Sequence, residues 1–197
     1  TMEFKQIKER LKDFRIGIAG AGGLGSNCAM ALVRSGITKL IIADFDSVDE
    51  SNLNRQFYFH DQIGQLKVEA LRSNLLRINP FLDISIIPKK LTPENLTECF
   101  REVDILIEAF DRADQKEMLI ETALSEWPHR PIIAGLGMAG FGHSNSLKVR
   151  SSGNLYICGD EKTEISPDNP PIAPRVGIVA NMQANIVLEI LLLKYQK

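Results

Sequence analysis

Cysteine is scarce in this sequence, and what there is lies scattered. Cys28, Cys99 and Cys158 are an odd number, far apart, with no C-x-x-C pair among them. Neither a disulfide framework nor a structural zinc site is expected from that pattern, and a reducing, cytoplasmic setting fits it best. Basic excess is lacking too. A formal net charge of -2 leaves no electrostatic footprint for nucleic acid or an anionic membrane. No signal peptide is read at the start, and Thr1 before Met2 takes no part in the reading. The chain also lacks an unbroken apolar span. Its longest apolar stretch, Val176 to Leu193, is interrupted by Asn181, Gln183, Asn185 and Glu189, so it reads as a mostly buried helix and not a membrane crossing. Repeats and low-complexity segments are absent. A length of 197 residues suits one domain, 1–197, with a sizeable core.

What is present is an alternation. Phe4, Ile7 and Leu11 fall at helical spacing. "RIGIAG" (15–20) reads as a buried strand, 23–35 as a helix ended by Gly36, and "KLIIAD" (39–44) as a second strand. Leu66, Val68, Leu71, Leu75 and Ile78 give a helix over 65–78, stopped by Asn79-Pro80. A strand at 82–87 follows, then a short helix at 93–100 with Thr92 as N-cap and Pro93 at its first position. Next come a strand at 103–110, a helix at 112–126 and a strand at 131–136. Beyond a glycine-rich bend the pattern changes to two short strands near 147–150 and 155–158, a proline-rich loop at 159–175 and the final helix. Alternation over most of the length predicts an α/β fold: a Rossmann-like open, mostly parallel sheet covered on both faces, with a short antiparallel extension near the C-terminus.

"GAGGLG" sits between the first strand and the first helix and satisfies G-x-G-x-x-G at Gly20, Gly22 and Gly25. Missing side chains permit the tight turn and let backbone N–H groups approach a phosphate at the helix N-terminus. Asp44 ends the second strand, where an acid accepts hydrogen bonds from ribose hydroxyls. These features predict nucleotide binding without separating NAD from ATP, and alone they fit a nicotinamide-dependent oxidoreductase. A tight turn that binds nothing is the bland alternative.

The polar run "SNLNRQ" (51–56) tips the balance. Arg55 keeps its charge and presents a planar fork suited to phosphate oxygens; Asn52 and Gln56 add neutral donors. Lys67 follows in the next helix, and Asp111 ends a later strand, at the edge where open α/β sheets bind ligands. Two cations, a strand-end carboxylate and a glycine cradle suit a triphosphate held with a magnesium ion, Asp111 being the metal-holding acid. Each has a plainer reading: Arg55 as a surface ion-pair partner, Lys67 as a solvated helix residue, Asp111 as a helix cap. His60, His129 and His143 stand apart from any serine or cysteine motif. A nucleophile that is already ionised needs no base, so the set suits a carboxylate attacking ATP to give an acyl-adenylate and pyrophosphate.

"GAGGLGSN", "DFDSVDESNLNRQ", "GQLKVEALRSNLLRINP" and "EAFD" resemble the ThiF/MoeB/ubiquitin-activating family, and "GMAGFGHSN" with "APRVGIVANMQANIVLEIL" resemble its short bacterial ThiF-like variety. The resemblance implies an adenylyltransferase acting on the C-terminal glycine carboxylate of a small ubiquitin-fold sulfur carrier, ThiS-like and serving thiamine synthesis, with ATP and magnesium, in a homodimer. It implies Gly23 against the nucleotide, Asp44 on the ribose, and Ser51, Asn52, Arg55 and Lys67 on the phosphates. Asp111 is then the metal-associated acid. Asn54 and Arg112 complete the nucleotide-binding set, Arg112 standing where asparagine is common. A MoaD-like carrier or a small carboxylate is the alternative acceptor, and a catalytically silent half of a heterodimer the alternative role. Longer members carry two zinc-binding C-x-x-C pairs, a cysteine in the crossover loop and an arginine on an N-terminal arm. Here Cys158 reads as a buried strand residue, and Arg10 is the candidate substitute for the arm.

Overall fold

The computed structural model describes residues 2–194; Thr1 and 195–197, the ends of the expected domain, lie outside the described residues. Five strands form the parallel core: β1 (Arg15–Ala19), β2 (Lys39–Ala43), β3 (Asp83–Ile87), β4 (Ile105–Glu108) and β5 (Ile132–Gly135). Two more, β6 (Lys148–Ser152) and β7 (Leu155–Gly159), close the sheet in the order β3-β2-β1-β4-β5-β7-β6. Every pairing is parallel except β6 with β7, which supplies the expected antiparallel extension. The connections reverse direction between β1 and β4, and a doubly wound sheet opens its ligand crevice at such a switch, beyond the strands' carboxyl ends.

The strands are apolar on both faces because both are covered. Ile16, Ile18, Leu40, Ile42, Ile105 and Ile107 face one core, shared with α2 (Gly23–Ser35), α3 (Lys67–Ile78) and α6 (Ala173–Glu189). Ala19, Ile41, Ala43, Leu106 and Ile132 face the other, under α4 (Pro93–Cys99) and α5 (Ala113–Glu126). The fully buried Phe100 fills that second layer, and a Cβ on Gly17 would lie 2.7 Å from its ring. The remaining helix, α1 (Phe4–Leu11), packs against the end of the chain, where residues 190–194 form a π-helical turn. Together α6 and that turn are long and apolar enough to cross a bilayer, yet α6 packs against α2, β5 and β7.

Of the boundaries that differ from expectation, two bear on Lys67 and Asp111. Helix α3 begins at Lys67 and not at residue 65, because Gln65 and Leu66 bridge to residues 46–48: Val48 N donates to Gln65 O at 2.8 Å and Lys67 N to Asp46 O at 2.9 Å. Helix α5 begins at Ala113 with an extended Arg112 before it, so Asp111 is not its cap.

After β7 the chain crosses back over the crevice as a strap, 159–172, to reach α6. One buried ion pair fixes its start. Arg175 Nη2 donates to Asp160 Oδ2 at 2.6 Å, with both side chains under 10% exposed (4% and 7%). The same guanidinium donates to Gly142 O at 2.6 Å, so it also holds the glycine-rich bend. Burial pushes the Asp160 carboxyl up, but the Thr163 and Lys162 amides, the Thr163 hydroxyl and Arg175 outweigh it and hold the group below its ordinary value of 3.8.

The pair's contribution is therefore complete above that ordinary value and is lost as pH falls through the lowered folded value. Asp160→Asn is expected to cost about 3–5 kcal/mol at neutral pH. Denaturant titration should show the gap from the parent chain closing only in acid below 3.8; a gap independent of pH would contradict the assignment. Gly17→Ala should destabilise by about 1–3 kcal/mol through overpacking against Phe100. By contrast Gly177→Ala, inside α6 with open space around it, should stabilise by about 0.5–1 kcal/mol. Both are measurable by urea unfolding.

Candidate active site

A cavity of about 950 Å³ opens at the switch between β1 and β4. The glycine loop forms its floor. Gly20 has φ +101°, and a Cβ there would lie 2.6 Å from Ala109 O. Gly22 and Gly23 open α2 and line the cavity. Gly25 does not line it; its missing Cβ would lie 1.8 Å from Gly20 O, so this glycine lets the loop pack on its own helix. Asp44 stands at the end of β2 and anchors the loop: Oδ2 accepts from Ala21 N at 2.7 Å and Oδ1 from Asp46 N at 2.8 Å. Burial pushes its carboxyl up, against the pull of those two amides and of Lys67.

The polar run lies over the first turn of α2. Asn27 Nδ2 donates to Gly23 O at 2.7 Å and to Arg55 O at 2.8 Å, while Ser26 Oγ accepts from Phe57 N at 3.0 Å. Ser51, Asn54, Arg55 and Gln56 consequently line the cavity. Arg55 Nη1 donates to Asn54 Oδ1 at 2.7 Å and Ser51 O at 3.1 Å, which leaves its other nitrogens free of those bonds. Asn52 does not reach the cavity wall. Its Oδ1 accepts from Asp49 N at 3.0 Å and closes a 3-10 turn, so the amide oxygen serves local structure. Gln56 Oε1 is buried without a hydrogen-bond partner.

Lys67 lines the same cavity from the first position of α3. Its Nζ donates to Asp46 Oδ2 at 3.0 Å, with the lysine side chain 9% exposed. The buried Tyr58 hydroxyl donates to Ala21 O at 2.6 Å and so ties this wall to the glycine loop. Across the crevice Asp111 lines the cavity just beyond β4, and Arg112 beside it is held in a bidentate pair with Asp114 at 2.9–3.0 Å.

Sequence reasoning missed several neighbours. Asp46 partners Lys67, and only the D-x-D spacing of "DFD" hints at it. Lys89 and Lys90 reach the rim from beyond β3. Glu108 and Lys116 form a buried pair beneath Asp111, eight residues apart and without a sequence signal. Burial pushes the Glu108 carboxyl up, against the opposing pull of Lys116. Arg10 is remote from the cavity: it donates to Leu192 O at 3.4 Å, at the end of the last helix. Cys158 is fully buried in β7, as the sequence suggested, and burial pushes its thiol up to about 12. It therefore carries no thiolate at neutral pH.

Relatives share this chain's organisation. It is 29% identical to the adenylyltransferase and sulfurtransferase UBA4 of Candida glabrata over 190 residues, which cover 93% of this chain and 43% of that protein. It thus spans less than half the length of that relative. To the molybdopterin-synthase adenylyltransferase of Escherichia coli it is 29% identical over 189 residues, 93% of this chain and 75% of the other. Among solved structures, the E. coli tRNA N6-threonylcarbamoyladenosine dehydratase in complex with AMP has the same fold. Its TM-score is 0.86 at 20% identity, covering 95% of this chain and 90% of that one. E. coli MccB with AMPCPP and MccA gives 0.73 at 22%, covering 94% and 58%. The pattern of the ThiF family matches residues 3–197, and the chain belongs to that family.

Proposed function

We propose that this chain binds ATP in the crevice and transfers the adenylyl group to the C-terminal glycine carboxylate of a small ubiquitin-fold sulfur carrier. One observation carries the reading. Glycine loop, ribose-side acid, two cations and a strand-end carboxylate line a single cavity at the carboxyl ends of parallel strands. The names of the relatives, both adenylyltransferases, support the same reaction class. A ThiS-like carrier of thiamine synthesis is the preferred acceptor, with a MoaD-like carrier as the alternative. The proposed working unit is a cytoplasmic homodimer.

In this reading Asp44 accepts hydrogen bonds from the ribose hydroxyls, and the amides opening α2 face the phosphates. Arg55 and Lys67 bring two basic side chains to the polyphosphate. Magnesium, if bound with the nucleotide, would supply positive charge that offsets that of the phosphates. Among the described residues no group of three or more His, Cys, Asp or Glu side chains is arranged to hold a metal. The donor set still fits, because magnesium bound with a nucleotide takes one or two carboxylates and fills its shell with phosphate oxygens and water. Asp111 is the carboxylate placed to serve.

A carboxylate oxygen of the carrier attacks the α-phosphorus. The C–O–P bond forms, the bond from the α-phosphorus to the bridging oxygen breaks, and its electron pair leaves with pyrophosphate. No proton has to move, and among the described residues neither histidine nor cysteine lines the cavity. The carrier's tail is proposed to enter along Leu136–Met138 and the strap at Thr163–Ile165, both of which line the cavity.

Arg55→Ala should lower carrier-dependent exchange of labelled pyrophosphate into ATP by about 10²–10³-fold, with little change in melting temperature. Unchanged exchange would sink the proposal. In thermal-shift titration ATP should raise the melting temperature and NAD should not; stabilisation by NAD alone would favour an oxidoreductase instead.

A further inference from the structure

Lys116 lines the cavity, yet its ammonium is fully committed. It donates to Glu108 Oε1 at 3.1 Å, to Glu108 Oε2 at 3.0 Å and to Gly135 O at 2.8 Å. Three protons meet three acceptors, so none is left for a ligand. Glu108 is equally occupied: it is wholly buried, and Oε1 also accepts from Phe110 N at 2.6 Å. The location of this cluster matters. Pairing between β4 and β5 ends at Glu108 with Ala134. Past that point the chains part, one to Asp111 and the other to the Leu136–Met138 wall. Lys116 joins the two strand ends where the backbone ladder stops. Through Phe110 N, Glu108 also curls the two residues, Ala109 and Phe110, that separate it from Asp111. Below it, Gln183 Nε2 donates to Glu108 O at 2.9 Å and to Ile133 O at 3.2 Å, tying the same two strands a second time.

We infer that Glu108 and Lys116 are a positioning pair, which cross-links the ends of β4 and β5 and thereby holds the Asp111 carboxylate at the depth a nucleotide-bound divalent ion requires. The inference rests on the reading of Asp111 as the metal-associated acid. It assigns Lys116 no contact with substrate, unlike Arg55 and Lys67.

The test uses Mn²⁺ as the probe, its binding to the complex of protein and a non-hydrolysable ATP analogue followed by electron paramagnetic resonance. The near-isosteric double variant Glu108→Gln/Lys116→Met removes both charges together, so no lone buried ion remains. It should bind the analogue without metal as the parent does, within about twofold, and bind Mn²⁺ about tenfold more weakly. Asp111→Asn should weaken Mn²⁺ by a similar factor in the parent and add little in the double variant, since coupled residues are not additive. A merely structural pair would lower the melting temperature and leave Mn²⁺ affinity alone. Full Mn²⁺ affinity in the double variant overturns the inference while leaving the function proposal standing. No effect of Asp111→Asn in the parent overturns the reading of Asp111, and this inference with it. Should the double variant not fold, Lys116→Arg keeps the cation with altered reach, and it should weaken Mn²⁺ about threefold; unchanged affinity there overturns the inference equally.

Discussion

Two short polar side chains in the first turn of α2 hold the crevice together. Ser26 receives the Phe57 amide, and Asn27 bridges the Gly23 and Arg55 carbonyls. These bonds seat the 51–57 segment on the helix that carries the glycine loop. Their effect is to give Arg55 a fixed backbone origin. A long guanidinium side chain loses much rotamer freedom when it binds a phosphate. Seating its backbone beforehand, with Asn54 and Ser51 already holding one nitrogen, reduces the freedom still to be lost.

The same economy of placement recurs across the cavity. Asp44 orders the Ala21 amide before any ribose is present, and Asp46 holds Lys67 forward from an extended bridge. Asp44, Arg55 and Lys67 thus each have a protein partner that leaves part of their bonding capacity open. Arg175 and Lys116 differ in kind. Both serve the fold, Arg175 clamping the strap from outside the cavity lining and Lys116, all three of its protons bonded, joining two strand ends. Lining a cavity is not the same as facing a ligand, and counting satisfied protons separates the two.

Much of the fold was legible because local rules decide it. Helix α2 runs from Gly23 to Ser35 as expected, since Gly36 adopts φ +113° and caps it. Thr92 and Pro93 fix the start of α4 in the same way. Residues 65 and 66 escaped because an apolar residue at helical spacing also suits a bridge, and the pairing with 46–48 is a tertiary fact. At the site, glycine spacing announced the loop, and the cavity brings Asp44, Arg55, Lys67 and Asp111 together. Asn52 and Gly25 shared the motif but work on the protein itself, one in a 3-10 turn and one in close backbone packing. Nothing in one dimension separates a side chain that meets a ligand from one that holds its neighbour. The Glu108–Lys116 pair shows the converse: eight residues apart, its meaning exists only once β4, β5 and α5 are assembled.

The place of α6 in the chain has a consequence for synthesis. Val179, Ala180, Ile186 and Val187 complete the core over Ile18, Ile107 and Ile133. Those strand residues leave the ribosome long before the helix that covers them. While translation proceeds, one face of the central sheet lacks its apolar cover, and a growing chain in that condition is open to aggregation and to chaperones. Closure of the α2 layer needs residues 173–190, and the crevice, walled on that side by Val176, is complete only once they have been made and docked.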